Sequence, residues 1–242
     1  MSTNYILVIP ARYKSTRFPG KPLIDILGKT MLERVYEKCI EAVESSKIFV
    51  ATDDKRIEKH CIERGIQCII TSTNCLTGTD RIGEVAKTID ADFYLNVQGD
   101  EPIFNPLDIN ILIKQIEKSN NNYDVFCGFC PIDDSERFFS KDVPKVIFNK
   151  NQELIYISRS PIPGNKNGKF NFGFRQVCAY AFSKKSLMSF YSTKEKTPLE
   201  EQEDIELLRF LELGYKVKML KMSNVSIPVD REEDLKRVLG RL

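Results

Sequence analysis

Apolar runs and polar breaks alternate regularly along the first hundred residues of the chain. Residues 5–9 form a continuous apolar run, and largely apolar segments follow at 47–51, 68–71 and 92–97. A strand of a parallel sheet is buried on both faces, so it reads as an uninterrupted apolar run rather than an alternating one. These four segments are predicted to be parallel strands.

Between these runs, the spacing of apolar residues changes to that of amphipathic helices. Residues 31–43, 54–64 and 79–89 are predicted helices, and in the first of them Leu32, Val35 and Ile40 fall on roughly one face. Strands that alternate with helices in this way predict an α/β fold with a doubly wound, mostly parallel sheet and right-handed crossovers.

The pattern changes after about residue 122, where strands predominate. We expect approximately residues 140–190 to form an antiparallel lobe inserted into a single domain that spans residues 1–242, and we expect this lobe to be a subunit contact. The remaining predicted elements are strands at 125–129, 145–149, 154–158, 174–182 and 217–221 and helices at 200–213 and 231–241.

Composition narrows the class of ligand. Hydrophobic residues make up 42% of the 242, enough for one full-sized core, and the net charge is only +2. A nucleic-acid-binding domain has a larger basic excess, so we expect no nucleic-acid partner, and local cation clusters indicate a small anionic ligand. No apolar run is long enough for a membrane span, so we expect a cytoplasmic protein without a membrane partner, whose seven cysteines are reduced.

The polar loop after the first strand is the best candidate for an anion-binding site. In an open α/β sheet, ligands bind beyond the carboxyl ends of the strands, and this loop begins at that edge. Its charged and hydroxyl groups are the donors that a triphosphate requires, whereas the alternative interpretation is a solvated charged turn. The cations are Arg12, Lys14, Arg17 and Lys21, and the hydroxyl groups belong to Ser15 and Thr16.

Two carboxylates are candidates for a magnesium site. Asp100 lies at the end of the fourth strand, where one carboxylate can hold Mg²⁺ while substrate phosphates and waters complete the octahedron. The alternative there is an acidic turn that Pro102 ends. Asp230 precedes the last predicted helix and is either a second metal ligand or the N-cap of that helix.

Two other groups of reactive residues are assigned structural roles. Cys127 and Cys130 have the spacing of a redox motif, but they lie within a predicted strand, where their side chains would point to opposite faces. His60, the only histidine, lies on a charged helix and is predicted to be a surface residue.

Six stretches of the chain resemble the 3-deoxy-manno-octulosonate (Kdo) cytidylyltransferases, also called CMP-Kdo synthetases. Stretches 9–23 and 96–102 are the most diagnostic, and the others are 50–54, 77–81, 156–163 and 197–200. The resemblance implies a nucleotidyltransferase sheet of the GT-A-like kind and a homodimer joined through the middle lobe. It also implies that the anomeric hydroxyl of an acidic 3-deoxy sugar attacks the α-phosphorus of CTP and that pyrophosphate leaves.

The same resemblance implies roles for individual residues. Arg12, Arg17 and Lys21 would hold the triphosphate, while Mg²⁺ would neutralise charge at phosphorus and lower the pKa of the attacking hydroxyl. Asp100 and Asp230 would be the metal ligands. The implied catalytic residues are Arg12, Lys21, Asp100 and Asp230. The implied nucleotide-binding residues are Ala11, Arg12, Lys14, Ser15, Thr16, Arg17, Lys21, Thr52, Asp53, Thr79, Asp80 and Arg81, and those at the sugar are Gln98, Arg159, Gln176, Tyr180, Glu203 and Glu206.

The departures from this family gather at the sugar end. Gln176 stands where the family usually has a histidine, and Leu207 replaces an amide residue. An amide differs from an imidazole in charge and in hydrogen-bond pattern. The acceptor is therefore left open between Kdo, its 8-amino analogue and a sialic-type acid.

Two other functional classes are alternatives. A glycosyltransferase on a similar sheet would need an Asp-x-Asp metal motif at a strand tip, and Asp90-Ala91-Asp92 precedes a strand instead. A catalytically silent nucleotide-binding regulator would have a damaged metal or phosphate loop, and neither sequence is damaged.

Overall fold

A computed structural model describes residues 3–14, 18–118, 122–229 and 231–242 of the chain. Apart from a short hairpin after the first strand, strands and helices alternate up to residue 97, as predicted. The strands are β1 (Tyr5–Ala11), β2 (Asp25–Ile26), β3 (Lys29–Thr30), β4 (Ile48–Thr52), β5 (Cys68–Ile70), β6 (Phe93–Val97), β7 (Val125–Pro131), β8 (Lys145–Phe148), β9 (Leu154–Ser158), β10 (Phe174–Ser183) and β11 (Val217–Lys221). The helices are α1 (Met31–Ile40), α2 (Lys55–Glu63), α3 (Gly78–Thr88), α4 (Pro106–Lys118), α5 (Ser135–Phe139), α6 (Lys184–Ser192), α7 (Pro198–Glu203), α8 (Leu207–Glu212) and α9 (Glu232–Leu239).

The central sheet is mostly parallel, which confirms the predicted fold class. Its strand order is β11-β7-β10-β6-β1-β4-β5, and β10 is antiparallel to both of its neighbours in this path. β1 lies between β6 and β4, and Ala11 at its carboxyl end pairs with Thr52 of β4. The loops after β1, β4 and β6 therefore open at one edge of the sheet.

Both faces of β1 are buried, as its apolar run requires. Leu7 and Ile9 face a core cluster shared with α1, α2 and α4, whereas Ile6 and Val8 face a second cluster shared with α3, α6 and α8. Burial of such a side chain contributes about 1.5–3 kcal/mol to stability. This packing fixes the carboxyl end of β1 and the start of the loop at Arg12.

The middle of the chain contributes to two parts of the structure. β8 and β9 form an antiparallel hairpin, which joins the main sheet through the pairing of Lys145 with Arg175 of β10. β10 itself lies between β6 and β7. Of the segment 140–190, the hairpin is thus the antiparallel extension, whereas β10 is part of the central sheet. The role of segment 140–190 as a subunit contact stays a prediction.

The helix predicted at residues 200–213 is wrong, because the segment forms two short helices. α7 ends at Glu203, Asp204 has a φ of 51°, and α8 begins at Leu207. A residue in the left-handed region ends a right-handed helix. The break releases Glu206 from the helix, and its side chain reaches the amino end of α3.

Three helices, α4, α5 and α6, lie where none is predicted. In α4 the buried residues Ile109, Leu112 and Ile116 have helical spacing. The segment is also rich in isoleucine, which is typical of strands, so its apolar pattern is ambiguous. Within the described parts of the chain, no helix is long and apolar enough to cross a membrane.

Candidate active site

A cleft of about 640 Å³ opens at the carboxyl ends of β1 and β6. This is the edge of the sheet where open α/β proteins bind ligands. Its side chains include both cations and carboxylates, which suits an anionic ligand accompanied by a metal. The described residues that line it are Pro10, Ala11, Arg12, Lys14, Lys21, Pro22, Gly78, Gln98, Gly99, Asp100, Lys141, Asp142, Arg159, Asp204 and Glu206.

Lys21 and Asp100 meet inside the cleft. The Lys21 Nζ lies 2.7 Å from Oδ2 of Asp100 and donates a second hydrogen bond of 2.7 Å to the carbonyl of Val229. The backbone N–H of Val229 in turn donates to the Asp100 carbonyl at 2.9 Å. The side chains of Lys21 and Asp100 are 12% and 28% exposed, so this charge-assisted bond is partly shielded from water. The contacts among Lys21, Asp100 and Val229 together join three distant segments of the chain.

The other described cations of the predicted phosphate loop are more open to solvent. Arg12 and Lys14 are exposed and line the cleft, and Arg12 Nη1 donates to the Leu76 carbonyl at 3.4 Å. Exposed cations on a loop are available to an incoming anion. Four predicted site residues lie outside the described residues: Ser15, Thr16, Arg17 and Asp230.

Glu206 occupies the amino end of α3. Its carboxylate accepts hydrogen bonds from the backbone N–H groups of Gly78 and Thr79, both at 3.1 Å, and from the Thr79 hydroxyl. The free N–H groups and the dipole at a helix amino end stabilise an anion. Burial raises the pKa of Glu206, against the effect of these donors. Of these two predicted residues, Glu206 lines the cleft, whereas Thr79 is buried behind it and its role at the nucleotide stays a prediction.

Asp80 points into the protein rather than into the cleft. Its Oδ2 accepts from Thr77 in the capping box of α3, and its Oδ1 lies 2.9 Å from Nη1 of Arg209. Arg209 is fully buried and binds Glu200 at 2.5 and 2.7 Å. Asp80 thus belongs to a buried ionic network that fixes the start of α3. It does not line the cleft, so its role at the nucleotide stays a prediction.

Three more predicted nucleotide residues lie near the carboxyl end of β4. Arg81 is fully buried, donates to the Thr71 hydroxyl, and has Nη2 at 3.4 Å from Oδ1 of Asp53. The Thr52 hydroxyl accepts from the Asp54 N–H at 3.2 Å. None of Thr52, Asp53 and Arg81 is among the described residues lining the cleft, so their role at the nucleotide stays a prediction.

Gln98 and Glu206 converge on Gly78. A Cβ atom at Gly78 would lie 3.6 Å from Oε1 of Gln98, 3.6 Å from Oε1 of Glu206 and 3.4 Å from Cγ of Pro10. Because Gly78 has no side chain, the space between these groups at the amino end of α3 is open. The structure therefore brings together two of the residues predicted at the sugar.

Arg159 and Glu203 connect the hairpin to α7. The Arg159 guanidinium donates to the carbonyl groups of Lys141, Glu203 and Asp204 at 2.6–3.1 Å. The Glu203 carboxylate accepts from the Ser158 hydroxyl at 2.5 Å and from the Arg159 N–H at 2.8 Å. Arg159 lines the cleft, but its donors are directed to the protein's own carbonyl groups, so it shapes the rim.

Gln176 and Tyr180 are buried and contact each other. Both are on β10, each is only 7% exposed, and Nε2 of Gln176 donates to the Tyr180 hydroxyl at 3.0 Å. Burial raises the pKa of Tyr180 well above its ordinary value. Neither residue is among the described cleft-lining residues. Their role at the sugar stays a prediction.

Several cleft residues are absent from the sequence-based prediction. Gly78 had a usable signal, since Thr77 and Asp80 have capping-box spacing and predict a helix start at residue 78 rather than 79. Lys141, Asp142 and Asp204 reach the rim through tertiary contacts between the hairpin and α7, for which no local pattern exists.

The mostly parallel sheet, the cationic loop after its first strand and the carboxylate at the end of β6 together form a site suited to an anionic ligand with a metal ion. The model of the cytidylyltransferase family matches residues 6–235 of the chain. The chain belongs to this family and is an enzyme of the cytidylyltransferase type.

Individual relatives agree with this membership. The chain is 38% identical to a 3-deoxy-manno-octulosonate cytidylyltransferase of Protochlamydia amoebophila, over 98% of the chain and 94% of the relative. It is 37% identical to an 8-amino-3,8-dideoxy-manno-octulosonate cytidylyltransferase of Shewanella putrefaciens, over 99% and 98%. A solved structure of a CMP:2-keto-3-deoxy-manno-octonic acid synthetase complexed with CTP is similar, with a TM-score of 0.89, 33% identity, and 99% and 98% of the two chains covered.

Proposed function

We propose that the chain transfers CMP from CTP to the anomeric hydroxyl of a 3-deoxy-2-ulosonic acid, Kdo or a close analogue, in a Mg²⁺-dependent reaction that releases pyrophosphate. The observation that carries this proposal is the pairing of Lys21 with Asp100 at the carboxyl edge of β1 and β6, in a chain of the cytidylyltransferase family. The pair combines a group suited to phosphate with a group suited to a metal cation.

The cations of the phosphate loop would bind the triphosphate of CTP. In the reaction, the sugar oxygen forms a bond to the α-phosphorus, and the bond from that phosphorus to the oxygen bridging to the β-phosphate breaks. Such transfers depend on position and charge neutralisation, without a covalent enzyme intermediate. Arg12, Lys14 and Lys21 supply positive charge in the cleft, and we propose that Arg17 of the same loop adds to it.

A divalent cation, and specifically Mg²⁺, fits the residues at the cleft. Among the described residues, no group of three His, Cys, Asp or Glu side chains could hold a metal ion. Asp100 is nevertheless a cation-binding carboxylate, since its Oδ2 already accepts the Lys21 ammonium. Mg²⁺ is bound through one or two carboxylates plus substrate phosphates and waters, so Asp100, Asp230 and CTP would complete a site. The metal would neutralise charge at the α-phosphate and favour ionisation of the attacking hydroxyl.

The acceptor sugar would bind at the amino end of α3. Gln98 and Glu206 both face Gly78, and the Glu206 carboxylate is held in place by three donors of α3. An amide and a fixed carboxylate are suited to hydrogen bonds with sugar hydroxyl groups. Arg159 and Glu203 would form the rim on this side, with Gln176 and Tyr180 beneath it. We propose Kdo or 8-amino-Kdo as the acceptor, because relatives named for each are 38% and 37% identical to the chain.

We further propose that the chain acts as a homodimer in the cytoplasm. Phe139, Phe172 and Ile155 are 47%, 60% and 59% exposed, and all three lie in the middle segment. Exposed large apolar side chains can mark a protein–protein contact when they form a contiguous patch. The seven cysteines are free thiols, in agreement with a reducing compartment.

Pyrophosphate release with CTP and Mg²⁺ tests the proposed reaction across a panel of Kdo, 8-amino-Kdo and a sialic-type acid. We expect turnover with one of the two octulosonic acids, and mass spectrometry should detect its CMP conjugate. Silence across the panel while CTP still binds would favour a nucleotide-binding regulator. Sedimentation of the chain, compared with that of Phe172→Ser, tests the dimer.

A further inference from the structure

Tyr13, in the phosphate loop, is stacked by a cation from outside that loop. Cζ of Arg56, in the first turn of α2, lies 3.3 Å from the centroid of the Tyr13 ring. A guanidinium at this distance is attracted to the negative face of an aromatic ring. Arg56 is not among the described residues lining the cleft, so its contact is with the loop.

The same tyrosine joins the two described arms of the loop. The Gly20 N–H donates to the Tyr13 carbonyl at 2.9 Å, and a Cβ atom at Gly20 would lie 3.1 Å from both Cζ and the hydroxyl oxygen of the Tyr13 ring. Gly20 also has a φ of 73°, which glycine adopts without strain. Tyr13 is thus packed against the residue that immediately precedes Lys21.

Arg56 is itself held rigidly. Its Nε and Nη2 atoms donate to the two carboxylate oxygens of Asp54 at 2.9 and 2.7 Å, and its backbone N–H donates to the same carboxylate, which caps α2. The hydrogen bonds from the Arg56 side chain hold the pKa of Asp54 below its usual range. The Asp54 N–H is bonded to Thr52, the residue of β4 that pairs with Ala11 of β1. The stacking cation therefore has a fixed position relative to the base of the loop.

We propose that Arg56 is a positioning residue for the triphosphate: it holds Tyr13, and through Tyr13 it fixes the loop arms that carry Arg12, Lys14 and Lys21. This inference rests on the proposed function. Exposed cations close together repel one another, and a loop fixed before the ligand arrives loses less conformational freedom on binding. Arg56 makes its contribution without a contact to CTP.

Double-mutant analysis of CTP binding by calorimetry tests this clamp, which consists of Asp54, Arg56 and Tyr13. We expect the CTP Kd and KM to rise about three- to fivefold in Arg56→Met and in Tyr13→Leu, and no further in the double variant, because each substitution removes the same stacking contact. The values of kcat and of the KM for the sugar should change little. The melting temperature should also change little, because the Arg56 side chain is 57% exposed. Tyr13→Phe keeps the ring and should retain wild-type affinity.

Lys55→Met is the matched control. Lys55 lies in the same turn of α2, its side chain is 80% exposed, and its loss removes the same positive charge without removing a ring contact. Equal effects of Arg56→Met and Lys55→Met, or additive effects in the Arg56/Tyr13 double variant, would overturn the clamp alone. A wild-type chain that binds no CTP would instead overturn the proposed function, and the clamp with it.

Discussion

Nζ of Lys21 lies 2.7 Å from Oδ2 of Asp100. Lys21 follows β1 and Asp100 follows β6, so the pair joins neighbouring strands across the cleft. A divalent cation requires the carboxylate that Lys21 holds, and a triphosphate offers the ammonium a new partner. In the proposed reaction, the two residues therefore exchange each other for metal and phosphate.

Lys21→Met should lower turnover with CTP but strengthen the binding of a divalent cation. We expect CTP turnover to fall about 100-fold or more because a charged donor to phosphate is lost. The nucleotide-free chain should bind Mn²⁺ roughly three- to tenfold more tightly, because the cation next to Asp100 is gone. Electron paramagnetic resonance of free Mn²⁺ measures the second effect. Lys29→Met, which breaks a pair with Glu37 outside the cleft, is the control, and unchanged Mn²⁺ affinity in Lys21→Met would contradict the exchange.

Asp100→Asn should abolish turnover and leave the fold intact. The amide keeps the size of the carboxylate but loses the charge that a hard cation requires, so we expect the rate to fall by about 10³ or more. Asp142→Asn neutralises another carboxylate of the same cleft and should retain most activity. Wild-type turnover in Asp100→Asn, measured by pyrophosphate release with circular dichroism as a check on folding, would reject the metal assignment.

Arg209→Met should strongly destabilise the protein. The substitution leaves Glu200 and Asp80 buried without their cation, and breaking a buried ionic network in this way costs about 3–5 kcal/mol. Urea denaturation measures the free energy of unfolding. Lys38→Met breaks an exposed pair with Glu41 and should cost less than about 1 kcal/mol. Similar losses in both variants would show that the buried network contributes no more than a surface pair.

The stability contributed by Lys145 should rise with pH. Lys145 is fully buried and donates to the carbonyl groups of Ser140 and Arg159. Burial, with a smaller effect of Arg159, lowers its pKa from 10.5 to about 8. Between these values the unfolded chain binds more protons than the folded chain, so this contribution is present above 10.5 and is lost as the pH falls through 8.

We therefore expect the unfolding free energy of the wild type, relative to Lys145→Met, to increase by about 2–3 kcal/mol from about pH 7 to pH 10. Denaturant titrations at the two pH values provide the comparison. Lys150→Met, which removes an exposed lysine between β8 and β9, controls for the loss of one charge. A constant difference between the wild type and Lys145→Met would mean that this lysine does not change its protonation on folding in that range.

The sequence predicted the sheet better than the meeting points of its helices. β1, β4 and β6 are mainly apolar segments, and the burial of their apolar positions follows from composition and period. Glu206 and Gly78 meet because the chain breaks at Asp204 and turns α8 toward α3. No local pattern around residue 206 encodes that contact, because its partner lies more than a hundred positions earlier in the chain.

Charged residues were the hardest to assign. The family resemblance implied a place at the nucleotide for Asp80, and in the structure its carboxylate is bonded to Thr77 and Arg209 inside the protein. His60 was predicted on the surface, but its ring is only 14% exposed and Nε2 lies 3.0 Å from the Thr30 hydroxyl. The direction of such a side chain depends on partners from other elements. Cys127 and Cys130, whose directions follow from strand geometry, were predicted correctly to face opposite cores.

β10 lies between β6 and β7, although both of those strands precede it in the chain. Until β10 is present, β6 and β7 each have an edge with unpaired backbone groups, and such edges are sites of aggregation. During synthesis, the gap between β6 and β7 is therefore closed only after residue 183 has emerged. The order in which the strands are made thus differs from the order in which they pair, and the sheet becomes continuous late in folding.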